Sequence, residues 1–157
     1  MQNFEMPKPT DKHAKLKALA GTWVGEEKIH PGPWDPKGGS ALGRTETKVD
    51  MDGFYVVTDY VQERDGKTSY KGHGVFGYEP KTNTYTMHWF DSMGFPTGDP
   101  ARGTWEGNRL TLQNATPMGQ GRYTYDFEAD GKYRFKIENS QDGKQWSTFM
   151  EGMYTRK

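Results

Sequence analysis

From Thr22 to Thr155 apolar and polar residues alternate with period two, in runs of strand length separated by turn signals. Asp-Gly occurs four times, at Asp52-Gly53, Asp65-Gly66, Asp130-Gly131 and Asp142-Gly143, each between segments rich in Tyr, Phe, Val and Thr. Both residues tolerate the positive φ that a tight hairpin requires. Pro80-Lys81-Thr82-Asn83 and Gly107-Asn108 add two further turns. Counting outward from these turns predicts strands near 22–30, 43–51, 54–64, 67–78, 84–91, 102–106, 109–114, 121–129, 132–139 and 144–155. Sequential hairpins without helical crossovers form a meander, and a long twisted sheet removes its exposed edges by closing. The expected fold is all-β: a ten-stranded antiparallel meander barrel, with a sandwich as the alternative architecture.

The period changes only near the start. Asp11 to Ala20 reads as a short helix with a narrow apolar side of Leu16, Leu19 and Ala20, Thr10 or Asp11 as N-cap, and Gly21 as the stop. Residues 1–10 are expected to be flexible, and residues 1–157 are read as one barrel domain. His30–Ser40, with Pro31, Pro33, Pro36, Gly38 and Gly39, is a long loop between the first two strands.

Composition sharpens this picture. Only 32% of residues are hydrophobic, but 14% are Phe, Trp or Tyr, which bury about 150–250 Å² each. Aromatic rings must therefore supply much of the core. Twenty-one basic residues balance twenty-one acidic ones, so no summed field steers the chain to nucleic acid or an anionic membrane, and neither is expected as a partner. The absence of cysteine excludes disulfides, thiolate nucleophiles and Cys-based metal sites. Met1–Lys12 lacks the apolar region of a secretory signal, no window has the length of a membrane span, and the expected location is the cytoplasm. No cofactor is implied.

Several blocks in order resemble a known family. They are Leu19-Ala20-Gly21-Thr22-Trp23 after the short helix, Gly72-His73-Gly74-Val75-Phe76-Gly77-Tyr78-Glu79, Tyr85 to Gly94, Gly103-Thr104-Trp105-Glu106-Gly107, and Met150 to Lys157. Together they resemble the DUF1579 family of uncharacterised bacterial lipocalin-like proteins over nearly the whole length. The resemblance implies a calycin-type barrel with the helix near one end and the Gly-x-Trp strand opening the sheet. It implies no established reaction.

Strand pairing then suggests where a site lies. A two-residue turn at Asp65-Gly66 sets Tyr60 opposite Lys71. A three-residue turn with a glycine bulge sets Tyr60 opposite Tyr70, Thr58 opposite Gly72, Val56 opposite Gly74 and Phe54 opposite Phe76. The second is expected, because it gathers Phe54, Val56, Tyr60, Tyr70 and Phe76 on one face. A four-residue turn after Glu79 pairs Tyr78 with Tyr85, Phe76 with Met87, Gly74 with Trp89 and Gly72 with Asp91. Large groups then face glycines, so Trp89 and Asp91 are placed inward. A bulged turn at Asp130-Gly131 pairs Phe127 with Tyr133, Tyr125 with Phe135 and Tyr123 with Ile137, leaving Arg134, Lys136 and Glu138 outside.

Asp91 is the sharpest polar candidate, as a ligand anchor or general base under a Ser92–Pro96 lid; the same position also suits a cap for that loop's amides. Glu151, with Arg122 or Arg44 as partner, is a second candidate of the same kind; the same position also suits an ordinary surface pair. Trp89, Tyr60, Phe76, Tyr125 and Phe135 are candidate walls. His73 and His88 fall outside if Trp89 is inside, and His88 enters the site only if the faces are reversed. Trp23 is expected to plug one end, and Trp34 to sit as a flap or partner contact in its Pro/Gly-rich loop.

The function expected from this architecture is binding of a small hydrophobic or amphipathic ligand inside the barrel. The alternative is an acid–base enzyme of isomerase or cyclase type using Asp91, Glu151, Tyr125 and His88, although no nucleophile elbow, metal-spaced histidines or phosphate loop supports it. A third reading is haem binding like that of the nitrobindins, which share the Gly-Thr-Trp opening. Their axial histidine lies near the C-terminus, whereas the last histidine here is His88. Trp34, Met93 and Phe95 offer a homodimer surface as a fourth.

Overall fold

The computed structural model describes residues 3–129 and 131–157. Thr10 caps a short helix, α1 (Asp11–Lys15): its hydroxyl accepts from the Lys12 amide, and the Thr10 amide donates to His13 Nδ1. The helix tightens into a 3₁₀ turn over Leu16–Leu19, which buries Leu16 and Leu19. Ten strands follow: β1 (Gly21–Ile29), β2 (Gly39–Asp50), β3 (Tyr55–Arg64), β4 (Lys67–Glu79), β5 (Thr84–Asp91), β6 (Ala101–Glu106), β7 (Arg109–Thr116), β8 (Gly119–Glu128), β9 (Lys132–Ser140) and β10 (Ser147–Arg156). Each pairs antiparallel with its sequence neighbours, and β1 pairs with β10, which closes the barrel. The architecture is the predicted meander.

α1 and the turns after β2, β4, β6 and β8 lie at one end, here the floor. The 30–38, 65–66, 92–100, 117–118 and 141–146 connections lie at the other, the mouth. At the floor the indole of Trp23 donates to the Leu19 carbonyl at 2.9 Å, and the Arg156 guanidinium stacks over its ring. Trp23 thus ties the helix to both the first strand and the last.

Two predicted registers hold in full. Glu79 pairs with Thr84 across Pro80–Asn83, so Phe76 faces Met87, Gly74 faces Trp89 and Gly72 faces Asp91. Tyr125 faces Phe135 and Tyr123 faces Ile137, as a three-residue turn requires; of that turn, Asp130 lies outside the described residues. Arg134, Lys136 and Glu138 face outward as expected, with Glu138 buried beneath the Arg122 guanidinium at 3.0 Å.

The β3–β4 register differs from both predicted pairings. Asp65-Gly66 forms a two-residue turn with positive φ at both positions, and Arg64 pairs with Lys67. An extra residue, Ser69, then bulges from β4, its hydroxyl held by the Gln62 carbonyl at 3.2 Å. The bulge restores the expected faces but slides the partners by two, so Tyr60 meets Gly72 and Val56 meets Phe76. Asp142-Gly143, by contrast, is not a tight hairpin. The Asp142 carboxylate accepts the amides of Lys144 and Gln145 at 2.8 and 2.9 Å and organises a longer loop, so β10 begins only at Ser147.

The wall is uneven at one place. β6 pairs with β5 only over Tyr85–Met87, so residues 88–91 of β5 continue to the mouth without a β6 partner. The 92–100 connection leaves β5 beside this seam, and Thr97 reaches back to the Trp89 carbonyl at 3.5 Å.

Candidate functional site

Along β1 the period-two rule puts Trp23, Gly25, Glu27 and Ile29 on the inner face. Glu27 is therefore carried into the barrel, where it is only 2% exposed. A buried carboxylate is strongly unfavourable unless donors surround it. Here three do. The Tyr60 hydroxyl lies 2.8 and 2.7 Å from the two oxygens, Gln62 Nε2 donates to Oε1 at 3.1 Å, and the Tyr154 hydroxyl donates to Oε2. Leaving a buried carboxyl group without one of these donors costs roughly 1–3 kcal/mol. Burial, reinforced by the Glu27 charge, pushes the Tyr60 and Tyr154 phenols well above their ordinary range, so both remain O–H donors. Space for this group comes from Gly43 of β2: a Cβ there would collide with Glu27 Oε2.

A second polar chain stands beside the first. Trp89 Nε1 donates to the Tyr70 hydroxyl at 2.8 Å, and that hydroxyl donates to Asp91 Oδ2 at 2.8 Å. Asp91 Oδ1 accepts the Met93 amide at 3.0 Å, so the carboxylate also caps the loop it precedes. The Met93 contact is the loop cap weighed for Asp91 from the sequence. The Trp89 ring fills the room left by Gly72, where any Cβ would overlap the indole. Tyr60 and Tyr70 meet edge to face at 6.0 Å between centroids, which joins the two chains.

Exposure varies along the inward faces. Leu16, Trp23, Val56, Phe76, Leu110, Tyr133 and Tyr154 are buried against one another. Tyr70, Trp89, Asp91, Tyr123, Phe135 and Ile137 also belong to inward faces and are half-buried, as are Tyr78, Trp105 and Phe127 at the floor. Phe135 and Ile137 pack against a second buried group at the mouth, Ile29, Ala41 and Met150.

The predicted site residues divide accordingly. Trp89, Asp91 and Phe135 point inward and are half-buried, and Tyr60 points inward and is buried. Phe76 and Tyr125 also point inward and are buried, their rings 6.0 Å apart. Glu151 must be corrected: Met150, Gly152 and Tyr154 face in, which turns Glu151 to the outer surface. Its partner is His30 at 3.5 Å, whereas Arg122 pairs with Glu138 and Arg44 with Glu63. His88 is also outside, on the face opposite Trp89, as is His73, which bonds Asp59 at 2.7 Å. His13 is buried at the floor between Phe54 and Tyr78. Trp34, Met93 and Phe95 are exposed in mouth loops.

Glu27 is the central residue that the sequence reading did not select. The signal was present, because Trp23 was assigned inward and Glu27 shares its parity.

A broad solvent-open groove on the outer wall involves Glu26, Lys28, Lys136, Glu151 and Met153; its charges are of both signs and define no single ligand chemistry. Among the described residues no group of three His, Asp or Glu side chains is arranged to hold a metal ion. No helix is long and apolar enough to cross a membrane.

The fold and interior define a closed ten-stranded antiparallel β-barrel with a buried carboxylate. The chain belongs to the DUF1579 family, described as proteins of unknown function, whose model matches residues 8–156. No protein with a curated description matches it. Among solved structures it is similar to Rv2717c from M. tuberculosis, with a TM-score of 0.72 and 13% identity, over 94% of this chain and 98% of that one. It is also similar to the S-type phycobiliprotein lyase CPES from Guillardia theta, with a TM-score of 0.64 and 10% identity, over 92% of this chain and 91% of that one. At these identities the likeness is one of fold.

Proposed function

We propose that the protein binds a small hydrophobic or amphipathic molecule in a chamber at the mouth of its barrel. The observation that carries this reading is the contrast in exposure along continuous inward faces: Tyr133 is buried while Phe135 and Ile137 of the same strand are half-exposed. A concave, largely aromatic space with a few convergent polar groups is the usual form of a small-molecule site. Asp91 supplies an anchor at the rim, and its position beside the β5–β6 seam suits ligand entry there under the 92–100 loop. Both similar structures share this fold, and the lyase activity belongs to the Guillardia theta protein.

Titration with N-phenyl-1-naphthylamine, which is uncharged at neutral pH and brightens in apolar surroundings, tests the reading. Saturable one-to-one enhancement is expected, and Ile137→Trp, which fills the chamber, should abolish it while leaving the far-ultraviolet circular dichroism intact. Absence of saturable enhancement with the folded wild-type protein would overturn the proposal.

A further inference from the structure

We infer that the chamber selects organic cations, a protonated amine carried on an apolar body, over neutral and carboxylate-bearing molecules of the same shape. The inference rests on the chamber reading above and names the ligand class it takes.

The argument begins with the sign of the charges that face inward. Above the Trp23 layer these are Glu27 and Asp91, both carboxylates. Three basic groups near the mouth are committed elsewhere, while Lys37, Lys67 and Lys144 are exposed to water at its rim. Arg64 bonds Asp35 at 2.5 Å and the Gly38 carbonyl at 3.1 Å, His30 lies beside Glu151 on the outside, and Arg122 is paired with Glu138 on the outer face. Every donor to Glu27 is neutral. Its negative field is therefore satisfied locally but not cancelled, and an apolar wall screens it far less than water would.

One further feature favours a cation. Tyr60, Tyr70 and Trp89 stand between the two carboxylates, with Tyr60 6.0 Å from Tyr70 and 6.2 Å from Trp89 between ring centroids. Their π faces attract ammonium groups, most strongly where water is excluded.

The two carboxylates divide the work. Three donors already occupy the two Glu27 oxygens, and the group is buried, so Glu27 acts through its field. Each Asp91 oxygen accepts one, and a carboxylate oxygen has two lone pairs. Direct contact with the ammonium therefore falls to Asp91. A ligand carboxylate at the same place would meet like charge on both sides.

Calorimetric titration of the full chain at pH 7 and low salt, with 1-naphthylmethylamine, 1-naphthylmethanol and 1-naphthaleneacetate, separates the alternatives. The amine should bind about tenfold or more tighter than the alcohol, and the carboxylate weaker than the alcohol by a similar factor. Raising the salt concentration on the wild-type protein should narrow the spread. Asp91→Asn should reduce the amine's advantage over the alcohol about tenfold. Equal affinities for all three, or a preference for the carboxylate, would overturn the charge selection and leave the chamber reading standing. An amine preference that survives both Asp91→Asn and Glu27→Gln would also overturn it. Failure of all three probes to bind would overturn the chamber reading, and this inference with it.

Discussion

The floor and the mouth of this barrel are built from the same strands by the same alternation, yet they differ in what the inward faces carry. At the floor the alternation delivers Trp23, Leu110, Tyr133 and Tyr154, and α1 with its 3₁₀ turn seals the end with Leu16 and Leu19. At the mouth the same faces carry Gly43, Gly72 and Gly121, which make room, and Glu27, Asp91 and Gln62, which need donors. No element covers that end as the helix covers the floor. Side-chain size along one period-two pattern thus distinguishes the large apolar layer around Trp23 from a mouth where glycines face large or polar groups, the difference on which the proposed chamber depends. The contrast teaches that closure of a sheet does not decide whether its interior is filled.

The largest expected effect tests that contrast directly. Leu110, 0% exposed among Trp105 and Tyr125, should lose about 3–5 kcal/mol on Leu110→Ala. Half-exposed Ile137 should lose only about 1–2 kcal/mol on Ile137→Ala, since part of its surface is already free. Urea denaturation with unchanged m-values measures both; equal losses would mean that the two ends are packed alike.

A smaller effect sharpens the account of the mouth. Tyr154→Phe keeps the ring stacked on Tyr133 but removes one donor from Glu27, and should cost about 1–3 kcal/mol. Stability equal to wild type by the same denaturation would show that Glu27 does not depend on this hydroxyl.

The smallest effect belongs to the floor and follows pH. Burial between Phe54 and Tyr78 lowers the His13 pKa below its ordinary value of 6.5. The unfolded chain therefore takes up this proton first, and the stability contributed by the neutral ring is present above pH 6.5 and lost as pH falls toward the lowered folded-state value. Thermal melts between pH 7.5 and 5, on the order of the window around an ordinary histidine, should show a steeper decline for wild type than for His13→Gln. Parallel declines would remove His13 as the cause.

Much of this fold was legible because hairpin meanders are specified locally. Pro80–Asn83 fixes a four-residue turn, so every pair from Glu79–Thr84 to Gly72–Asp91 follows by counting. The Ser69 bulge was not legible, since nothing in Thr68-Ser69-Tyr70 distinguishes a bulged residue from a paired one, and its cause is a hydroxyl bond to Gln62 across the hairpin. Asp142 misled for a related reason: an aspartate that ties its own loop amides looks in sequence like one that starts a tight turn. Glu27 was hidden in Gly25-Glu26-Glu27-Lys28, which reads as a solvated face. What makes it tolerable inside are Tyr60 and Tyr154, from strands 33 and 127 positions away. Glu151 shows the converse, a carboxylate assigned inward whose strand turns it out. The chamber's aromatic walls were visible in the sequence; its polar centre was not.

The pairing of β1 with β10 has a consequence for how the chain reaches this state. The hairpins join near neighbours and can form early, whereas Trp23–Arg156 and Ile29–Met150 contacts close nearly the whole chain into a ring. Loop-closure entropy makes such pairings the slow ones. Tyr154 can reach Glu27 only after that step, so until then the carboxylate remains hydrated on an open sheet edge. Its burial is then a late kinetic event, and the hydroxyl bond between the first and last strands is a marker of ring closure.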